Sequence, residues 1–169
     1  MNLSEIKTLL ESAPTYQKQL SLFSSFLKKE DLLNILYVIE DQSGTKIARI
    51  HAVGAPNHLT QILQNTVSVP LNQISFPVEN TPVLRRVYQE NRRIYFKKVP
   101  ELVAGLLPSI RQIDLILRQL GITDVAVLPL AQKPADHPDA MLVVLGPLTK
   151  DQLDYLREAV TVFSNIAQA

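Results

Sequence analysis

The sequence contains no cysteine, and this absence excludes several kinds of chemistry. Without a thiol there is no disulfide, no cysteine nucleophile and no thiolate ligand for a metal ion. There is also no uninterrupted run of about 18 apolar residues, which a membrane-spanning helix would need. The N-terminal residues include acidic side chains and lack an apolar signal core, so we do not expect secretion. We therefore expect a cytoplasmic protein with no membrane partner.

A strong charge of either sign is missing too. Lys and Arg together number 17 and Asp and Glu number 16, so the balance gives no reason to expect nucleic acid as a partner. The sequence also lacks an HExxH motif, a glycine-rich phosphate loop and a serine elbow. The histidines His51, His58 and His137 are far apart in the chain. We therefore predict no catalytic residues, no metal site and no enzyme activity.

The residues that are present predict one soluble domain spanning residues 1–169. An apolar fraction of 46% and a charged fraction of 20% are typical of a globular chain with a buried core. Helical periodicity extends over residues 4–29, with a break near Pro14, which can begin the second helix as its first residue. We expect residues 1–30 to form N-terminal helices, residues 31–148 a sheet with pocket-covering segments, and residues 149–169 a C-terminal helix.

Six short apolar or alternating runs predict strands. They span residues 34–40, 46–53, 74–78, 92–99, 125–130 and 140–145. The Asp-Ser-Gly turn after the first run and the short loop after the fifth predict two antiparallel hairpins. In the second strand, Arg49 and His51 should share one face, with Ile50 and Ala52 on the other.

Helix signals separate these strands. Asn57 can cap a helix over residues 58–65, and Thr81-Pro82 predicts another helix start. Ser109 and Gln112 have the spacing of a capping box before a helix that ends at Gly121. The sequence thus predicts an α+β fold, in which a six-stranded antiparallel sheet carries helices on both faces. The chain-end helices should form one layer, and the middle segment should cover the other face around a cavity.

The C-terminal helix has a second apolar stripe beyond the one that a single buried face requires. Thr149 and Gln152 predict the capping box at its start. The N-terminal helix has a similarly broad apolar face. We therefore predict a homodimer through the terminal helices, with an interface of Leu20, Phe23, Leu27, Tyr155, Ala159, Val162 and Ile166. Because the stripes continue to the last residues, we also expect more chain beyond residue 169.

Three segments resemble a GAF domain. Residues 35–56 (ILYVIEDQSGTKIARIHAVGAP) are similar to its opening hairpin, and residues 76–102 to its helix followed by a basic and aromatic strand. Residues 121–132 and 140–169 are similar to its closing hairpin and last helix. The resemblance implies a sensory or regulatory module, often dimeric, placed ahead of a kinase, cyclase or other output domain in a bacterial signalling protein.

Some GAF functions are incompatible with this sequence. Members that hold a bilin covalently, or that reduce free methionine sulfoxide, use cysteine, and this chain has none. The Asn-Lys-Phe-Asp-Glu pattern of cyclic-nucleotide-binding members is also absent. We therefore expect no cofactor, and the identity of any noncovalent ligand stays open.

The candidate ligand-binding residues lie in or near the predicted pocket. His51 is the one histidine within a strand, where it can face a ligand or simply pack. Phe76 and Tyr95 are aromatic residues of the middle segment, and Arg111 and Asp114 can face either solvent or the cavity. Arg85-Arg86, Arg92-Arg93 and Lys97-Lys98 form a basic cluster, which is either a solvated surface or an anion site or docking patch.

Two functions remain open from the sequence. The first is a domain that binds a small molecule or partner and signals through its terminal helices. The second is a ligand-free dimerisation or protein-interaction module with a filled core.

Overall fold

The computed structural model describes residues 3–67, 70–96 and 119–169. Its helices are α1 (Leu3–Glu11), α2 (Tyr16–Lys29), α3 (Asn57–Val67), α4 (Pro82–Glu90) and α5 (Lys150–Ala167). The strands are β1 (Asn34–Gln42), β2 (Thr45–Gly54), β3 (Ser75–Pro77), β4 (Ile94–Phe96), β5 (Val125–Leu130) and β6 (Ala140–Leu145). Single-turn 3-10 helices span Leu71–Gln73 and Val78–Asn80. This order follows the predicted one wherever the chain is described.

The six strands form one antiparallel sheet in the order β3-β2-β1-β6-β5-β4. The two predicted hairpins, β1–β2 and β5–β6, are confirmed. Ser43 and Gly44 make the two-residue turn of the first hairpin with φ of 54° and 84°, and Asp41 Oδ1 accepts a hydrogen bond from the Gly44 amide. Two positive φ angles match the twist of the strands that they join. The three-residue strands β3 and β4 form the two edges, and Pro77 lies in β3 as expected for an edge.

Helices α1, α2 and α5 cover one side of the sheet, which we call the helical face. Its core alternates along the central strands, with Leu36 on β1, Leu128 on β5 and Leu142 on β6. On the other side, which we call the opposite face, Val127 and Val143 pack with residues of α4 and the second 3-10 helix. The alternation buries both faces of β5 and β6, in agreement with their unbroken apolar runs.

The ends of the helices follow local capping chemistry. Thr149 and Gln152 form the predicted capping box, with reciprocal bonds of 3.1 and 2.9 Å. The prediction that Pro14 is the first residue of α2 was wrong. Thr15 is the N-cap and accepts a hydrogen bond from the Lys18 amide, so that the helix begins at Tyr16.

Strand β2 departs from the predicted alternation because a bulge lies opposite Leu36 and Tyr37. Leu36 pairs with Ala52 and Tyr37 with Ile50, so His51 has no register partner on β1. The extra residue places Ala52 against the helical-face core, while Ala48 belongs to the opposite face. The predicted alternation, which would place Ala52 on the same face as Ile50 and Ala48, was therefore wrong at Ala52.

Candidate functional site

The predicted ligand-binding residues do not meet in one pocket. Phe76 lies on edge strand β3 and faces the opposite-face core. Tyr95 lies on the other edge, where it pairs with Ala126 of the helical face. His51 contacts α2. Arg111 and Asp114 lie outside the described residues, as do Lys97, Lys98 and the capping box predicted at Ser109.

Phe76 is a core residue with 6% of its surface exposed. Its ring packs edge-on against Tyr37, with 5.5 Å between the ring centroids and an interplanar angle of 72°. Burial raises the pKa of Tyr37 to about 12, because the apolar surroundings disfavour the phenolate. This aromatic pair therefore belongs to the packing of the opposite face, with Phe76 buried and Tyr37 partly buried.

Tyr95 is 39% exposed, and its hydroxyl donates a 2.7 Å hydrogen bond to Asp124 Oδ2. Asp124 also accepts from the Thr123 hydroxyl at 2.8 Å and from the Leu148 amide at 3.0 Å. The bond to Asp124, followed by burial and the carboxylate charge, raises the pKa of Tyr95. This network joins β4, the start of β5 and the segment that leads into α5. No local sequence pattern indicates it, because hydrogen-bonded partners in the network lie 29 and 24 positions apart in the chain.

His51 connects the bulge of β2 to helix α2. Its Nε2 atom lies 3.1 Å from the carbonyl oxygen of Gln17 and 3.1 Å from the Ser21 hydroxyl. Because a carbonyl can only accept, the contact with Gln17 requires the proton on Nε2. The histidine thus links the sheet directly to a terminal helix.

A groove of about 240 Å³ surrounds this contact, and we call it the α2 groove. Its lining residues are Tyr16, Gln17, Leu20, Val38, Ile39, Glu40, Arg49, His51, Gln132 and Asp139. Tyr16 donates to Asp139 Oδ1 at 2.5 Å, and Arg49 forms an ion pair with Glu40. Burial, the bond to Asp139 and the charge of that carboxylate all raise the pKa of Tyr16. The polar groups of this groove are therefore largely paired with one another.

A second groove, of about 410 Å³, lies between the β4–β5 edge and α5, and we call it the arginine groove. It is lined by Asn91, Arg92, Arg93, Leu128, Pro129, Arg157, Val160 and Thr161. Asn91 ends α4 in the left-handed conformation, with φ of 51° and ψ of 46°. The turn directs Arg92 and Arg93 toward β4. The Asn91 side chain also donates a 3.1 Å hydrogen bond to the Ala135 carbonyl, which holds the β5–β6 loop near the groove.

The sequence identified Arg92 and Arg93 as basic but missed Arg157, their partner in the groove. Arg157 lies on the outer side of α5 and is more than 60 positions away, so no local pattern connects it to them. His137 lies in the β5–β6 loop. The structure stacks its exposed ring on Tyr88, with 4.7 Å between centroids, and places Nδ1 3.0 Å from the Tyr88 carbonyl.

Most residues of the predicted dimer interface are buried within the single chain. Leu20, Phe23, Leu27 and Ala159 are 0% exposed and Tyr155 is 7% exposed. The Phe23 ring stacks on Phe163 of α5 at 4.8 Å. Val162 and Ile166 are half-buried and keep some free surface. The second apolar stripe is thus largely accounted for by the chain's own helices, and the dimer stays a prediction.

Two features are absent from the described residues. Among residues 3–67, 70–96 and 119–169, no three His, Asp or Glu side chains are grouped to hold a metal ion. Within the same ranges, no helix has the length and apolarity to cross a membrane.

Comparison with solved structures identifies the fold. The chain is similar to the GAF domain of a phosphoenolpyruvate-protein phosphotransferase from Coxiella burnetii, with 15% identity, a TM-score of 0.63 and coverage of 98% of this chain and 88% of the other. It is also similar to the phycocyanobilin-bound GAF domain of a cyanobacterial phytochrome, with 12% identity, a TM-score of 0.62 and coverage of 98% and 93%. The chain has the GAF fold.

The same fold also occurs in an enzyme. Free methionine-R-sulfoxide reductase from Neisseria meningitidis matches with 11% identity, a TM-score of 0.63 and coverage of 98% of this chain and 85% of the other. No protein-family model matches the chain. No curated protein sequence matches it. The likeness therefore establishes the GAF fold, in agreement with the fold predicted from the sequence, and leaves the function to be argued from this chain's own residues.

Proposed function

We propose that this chain is a non-catalytic regulatory GAF domain, which binds a small molecule or a partner and signals through its terminal helices. The main supporting observation is that both ends of the chain pack on one face of the sheet. Helices α2 and α5 are joined there by the stacked rings of Phe23 and Phe163. Because packed cores deform in discrete steps, a change in the sheet would reach both chain ends together.

The contacts of α2 with the sheet support the same proposal. His51 and Tyr16 tie α2 to β2 and to the β5–β6 loop, respectively. A ligand or partner that altered either contact would change the position of α2 through differential interactions, as any such switch requires. The GAF domains of phosphotransferases and a phytochrome have this fold, and in such an arrangement an output domain such as a kinase or cyclase would follow or precede the chain.

Catalysis is the less favoured function. The methionine sulfoxide reductase shows that the fold can hold an active site. This chain has no cysteine to supply a thiol nucleophile. The Ser21 hydroxyl lies 3.1 Å from His51 Nε2, but that nitrogen carries the proton of its contact with the Gln17 carbonyl and so cannot act as a base toward the hydroxyl. A cofactor is not part of the proposal.

The absence of cysteine makes the signalling test straightforward. Lys18 on α2 and Asn165 on α5 are exposed, so both can be replaced by cysteine and spin-labelled. Thermal melting against a metabolite panel would first find a ligand, which should stabilise by about 2.7 kcal/mol at 100 times its dissociation constant. Pulsed electron paramagnetic resonance should then show a changed distance between the two labels.

A label pair at Asp151 and Asn165, both exposed on α5, is the matched control, because the helix fixes their separation. If a stabilising ligand leaves the Lys18–Asn165 distance unchanged, signalling through the terminal helices is wrong. If no compound stabilises the chain, small-molecule sensing is wrong and the ligand-free interaction module becomes the better proposal.

The proposed homodimer would use the remaining apolar surface of α5. Val162→Glu should weaken self-association in sedimentation velocity, because it places a charge at the half-buried stripe. Asn165→Glu adds the same charge at an exposed position of α5 and should change little. Unchanged sedimentation of Val162→Glu would exclude this surface as the interface.

A further inference from the structure

We propose that the arginine groove is a binding site for a small organic anion. In this arrangement a phosphate or carboxylate group faces the arginines, and an apolar part of the ligand lies on the floor. Three guanidinium groups, of Arg92, Arg93 and Arg157, line the groove, and none of its lining residues is acidic. Guanidinium groups present a planar fork of donors that matches the oxygens of phosphates and carboxylates.

The arginines are available to a ligand. Arg93 has no ion-pair partner among the described residues. Arg92 lies 3.4 Å from Glu90, and Arg157 pairs with Asp154, but both arginine side chains are more than half exposed. Surface ion pairs of this kind contribute little stability, so an incoming anion can compete for them.

The floor of the groove supplies the apolar part of the site. Leu128, Pro129 and Val160 form it, and the volume of about 410 Å³ is in the range of small-molecule pockets. A smaller groove of about 210 Å³ shares Arg93 and Leu128 and extends past Tyr95 to Leu153. An anion with an aromatic or alkyl group therefore fits better than a bare inorganic ion.

The α2 groove is a weaker candidate for the same role. Its charged groups satisfy each other, since Arg49 pairs with Glu40 and Asp139 accepts from Tyr16. A ligand there would have to break these contacts before making its own. In the arginine groove the positive charge exceeds the negative charge around it, which is the complementarity that an anion needs.

The position of the groove gives the site a consequence for the proposed function. One wall belongs to the segment leading into β4, and the other belongs to α5. A bound anion would bridge the edge of the sheet and the C-terminal helix. The binding site stands independently of the proposed function, whereas any signal from it rests on that proposal.

Phenyl phosphate is a suitable probe, with inorganic phosphate, benzoate and phenol for comparison. In a ¹H–¹⁵N NMR titration, phenyl phosphate should shift the amides of residues 91–93, 128 and 157–161. It should bind more tightly than inorganic phosphate, which lacks the apolar part, and than phenol, which lacks the charge. Benzoate tests whether a carboxylate can replace the phosphate. Shifts scattered over the surface, or equal affinity for phosphate and phenyl phosphate, would overturn the proposal.

Matched variants separate the site from the net charge. Arg93→Gln and Arg157→Gln should each weaken phenyl phosphate binding by about tenfold, the size expected for a charge-assisted hydrogen bond. Arg85→Gln removes the same charge from an exposed position of α4 outside the groove and should change affinity by less than about twofold. Equal losses in all three variants would mean that only net charge is sensed. If phenyl phosphate binds as expected but the Lys18–Asn165 distance stays constant, the site is correct and the signalling proposal fails.

Discussion

The helical face and the opposite face of the sheet bury similar apolar side chains beneath covers of different construction. The helical face is covered by α1, α2 and α5, helices of 9, 14 and 18 residues that pack on one another. In the part of the chain that the structure describes, α4, with 9 residues, and the 3-10 turn Val78–Asn80 pack on the opposite face. The three helices of the helical face pack in one continuous core, whereas each short segment on the opposite face is held by only a few contacts.

The polar contacts that hold the covering helices also differ between the two faces. On the helical face, Asn34 and His51 both bond to α2, so the helix is tied to two strands. On the other side, the end of α4 is held through contacts of Tyr88 and Asn91 with the β5–β6 loop. From the contacts of the described residues we predict that the helical face is the more stable unit and that local opening begins on the opposite face. Four measurements test this conclusion.

The largest expected difference comes from truncating one phenylalanine on each face. Phe163 is 0% exposed and lies between Phe23 and Tyr16, whereas Phe76 is 6% exposed on a three-residue edge strand. We expect Phe163→Ala to lower the free energy of unfolding by about 5 kcal/mol and Phe76→Ala by about 3 kcal/mol. Urea unfolding followed by far-ultraviolet circular dichroism measures both values. Equal losses, or a larger loss for Phe76→Ala, would break the comparison.

The next prediction concerns the buried hydrogen bonds that join α2 to β1. Asn34 is 0% exposed, accepts a 2.6 Å bond from the Ser24 hydroxyl, and donates to the carbonyls of Ser24 and Leu32 at 3.1 and 3.0 Å. Asn34→Ala leaves these buried groups without partners and should cost about 2–3 kcal/mol in urea unfolding. Asn72→Ala, at an exposed position, is the control. If Asn34→Ala lowers the free energy of unfolding by less than about 1 kcal/mol, these hydrogen bonds contribute little to the stability of the helical face.

Gly54 allows the end of β2 to lie directly against the hydrogen bonds between Asn34 and Ser24. A Cβ atom at that position would lie 2.3 Å from the Asn34 side-chain nitrogen and 2.8 Å from the Ser24 carbonyl oxygen. Only glycine lets the end of β2 approach this closely. The arrangement could not be predicted from the sequence, because asparagine side chains are mostly exposed in folded proteins.

Features governed by neighbouring residues could be predicted from the sequence. The capping box at Thr149 and the turn at Ser43-Gly44 both depend on local chemistry. The six-stranded antiparallel sheet, with the terminal helices on one face, could be predicted from these elements and from the resemblance to GAF domains. In these cases propensity, pattern and tertiary packing agree.

Features governed by distant residues could not be predicted. The bulge opposite Leu36 and Tyr37 depends on how two strands pair, and it turned Ala52 to the helical face. The same holds for the arginine groove, since Arg157 reaches Arg93 only after α5 has packed. Phe76 and Tyr95 looked alike as aromatic residues of the middle segment, but their strands are at opposite edges of the sheet.

Alkaline pH offers a finer comparison, because each face has a tyrosine with a raised pKa, partly buried Tyr37 on the opposite face and buried Tyr155 on the helical face. Burial raises the pKa of Tyr37 to about 12, and burial with the charges of Glu30 and Glu5 raises the pKa of Tyr155 to about 12. The folded protein holds these protons more tightly than the unfolded chain, whose tyrosine pKa is about 10. The stabilisation is therefore complete below pH 10 and is lost as the pH rises toward 12.

For Tyr37 the loss in free energy of unfolding should reach about 1 kcal/mol at pH 11. The variant Tyr37→Phe should remove that part of the pH dependence of stability. Salt distinguishes the two faces. Sodium chloride at about 1 M screens carboxylates, so it should reduce the alkaline loss assigned to Tyr155 and leave that of Tyr37 unchanged. Urea unfolding between pH 9 and 11 for the two Tyr→Phe variants measures this. A salt effect on Tyr37 would mean that charge, not burial, governs the opposite face.

The smallest expected effect compares the threonines that precede α5 and α4. Thr149 accepts the Gln152 amide in a capping box, whereas the Thr81 hydroxyl is buried with no hydrogen-bond partner among the described residues. Thr149→Val should cost about 1 kcal/mol, because the helix loses its cap. Thr81→Val preserves the shape and removes an unsatisfied hydroxyl, so it should be neutral or stabilise by up to about 1 kcal/mol.

The two Thr→Val variants change the same atoms, so their difference isolates the role of the hydroxyl on each face. Thermal melting by circular dichroism resolves changes of this size. If both variants lose about the same stability, Thr81 must cap α4 in solution, and the cover of the opposite face is better anchored than its short segments indicate. If only Thr149→Val is destabilised, the start of α4 has no side-chain cap and is held by apolar packing of Val83, Leu84 and Val87, as the predicted local opening on that face requires.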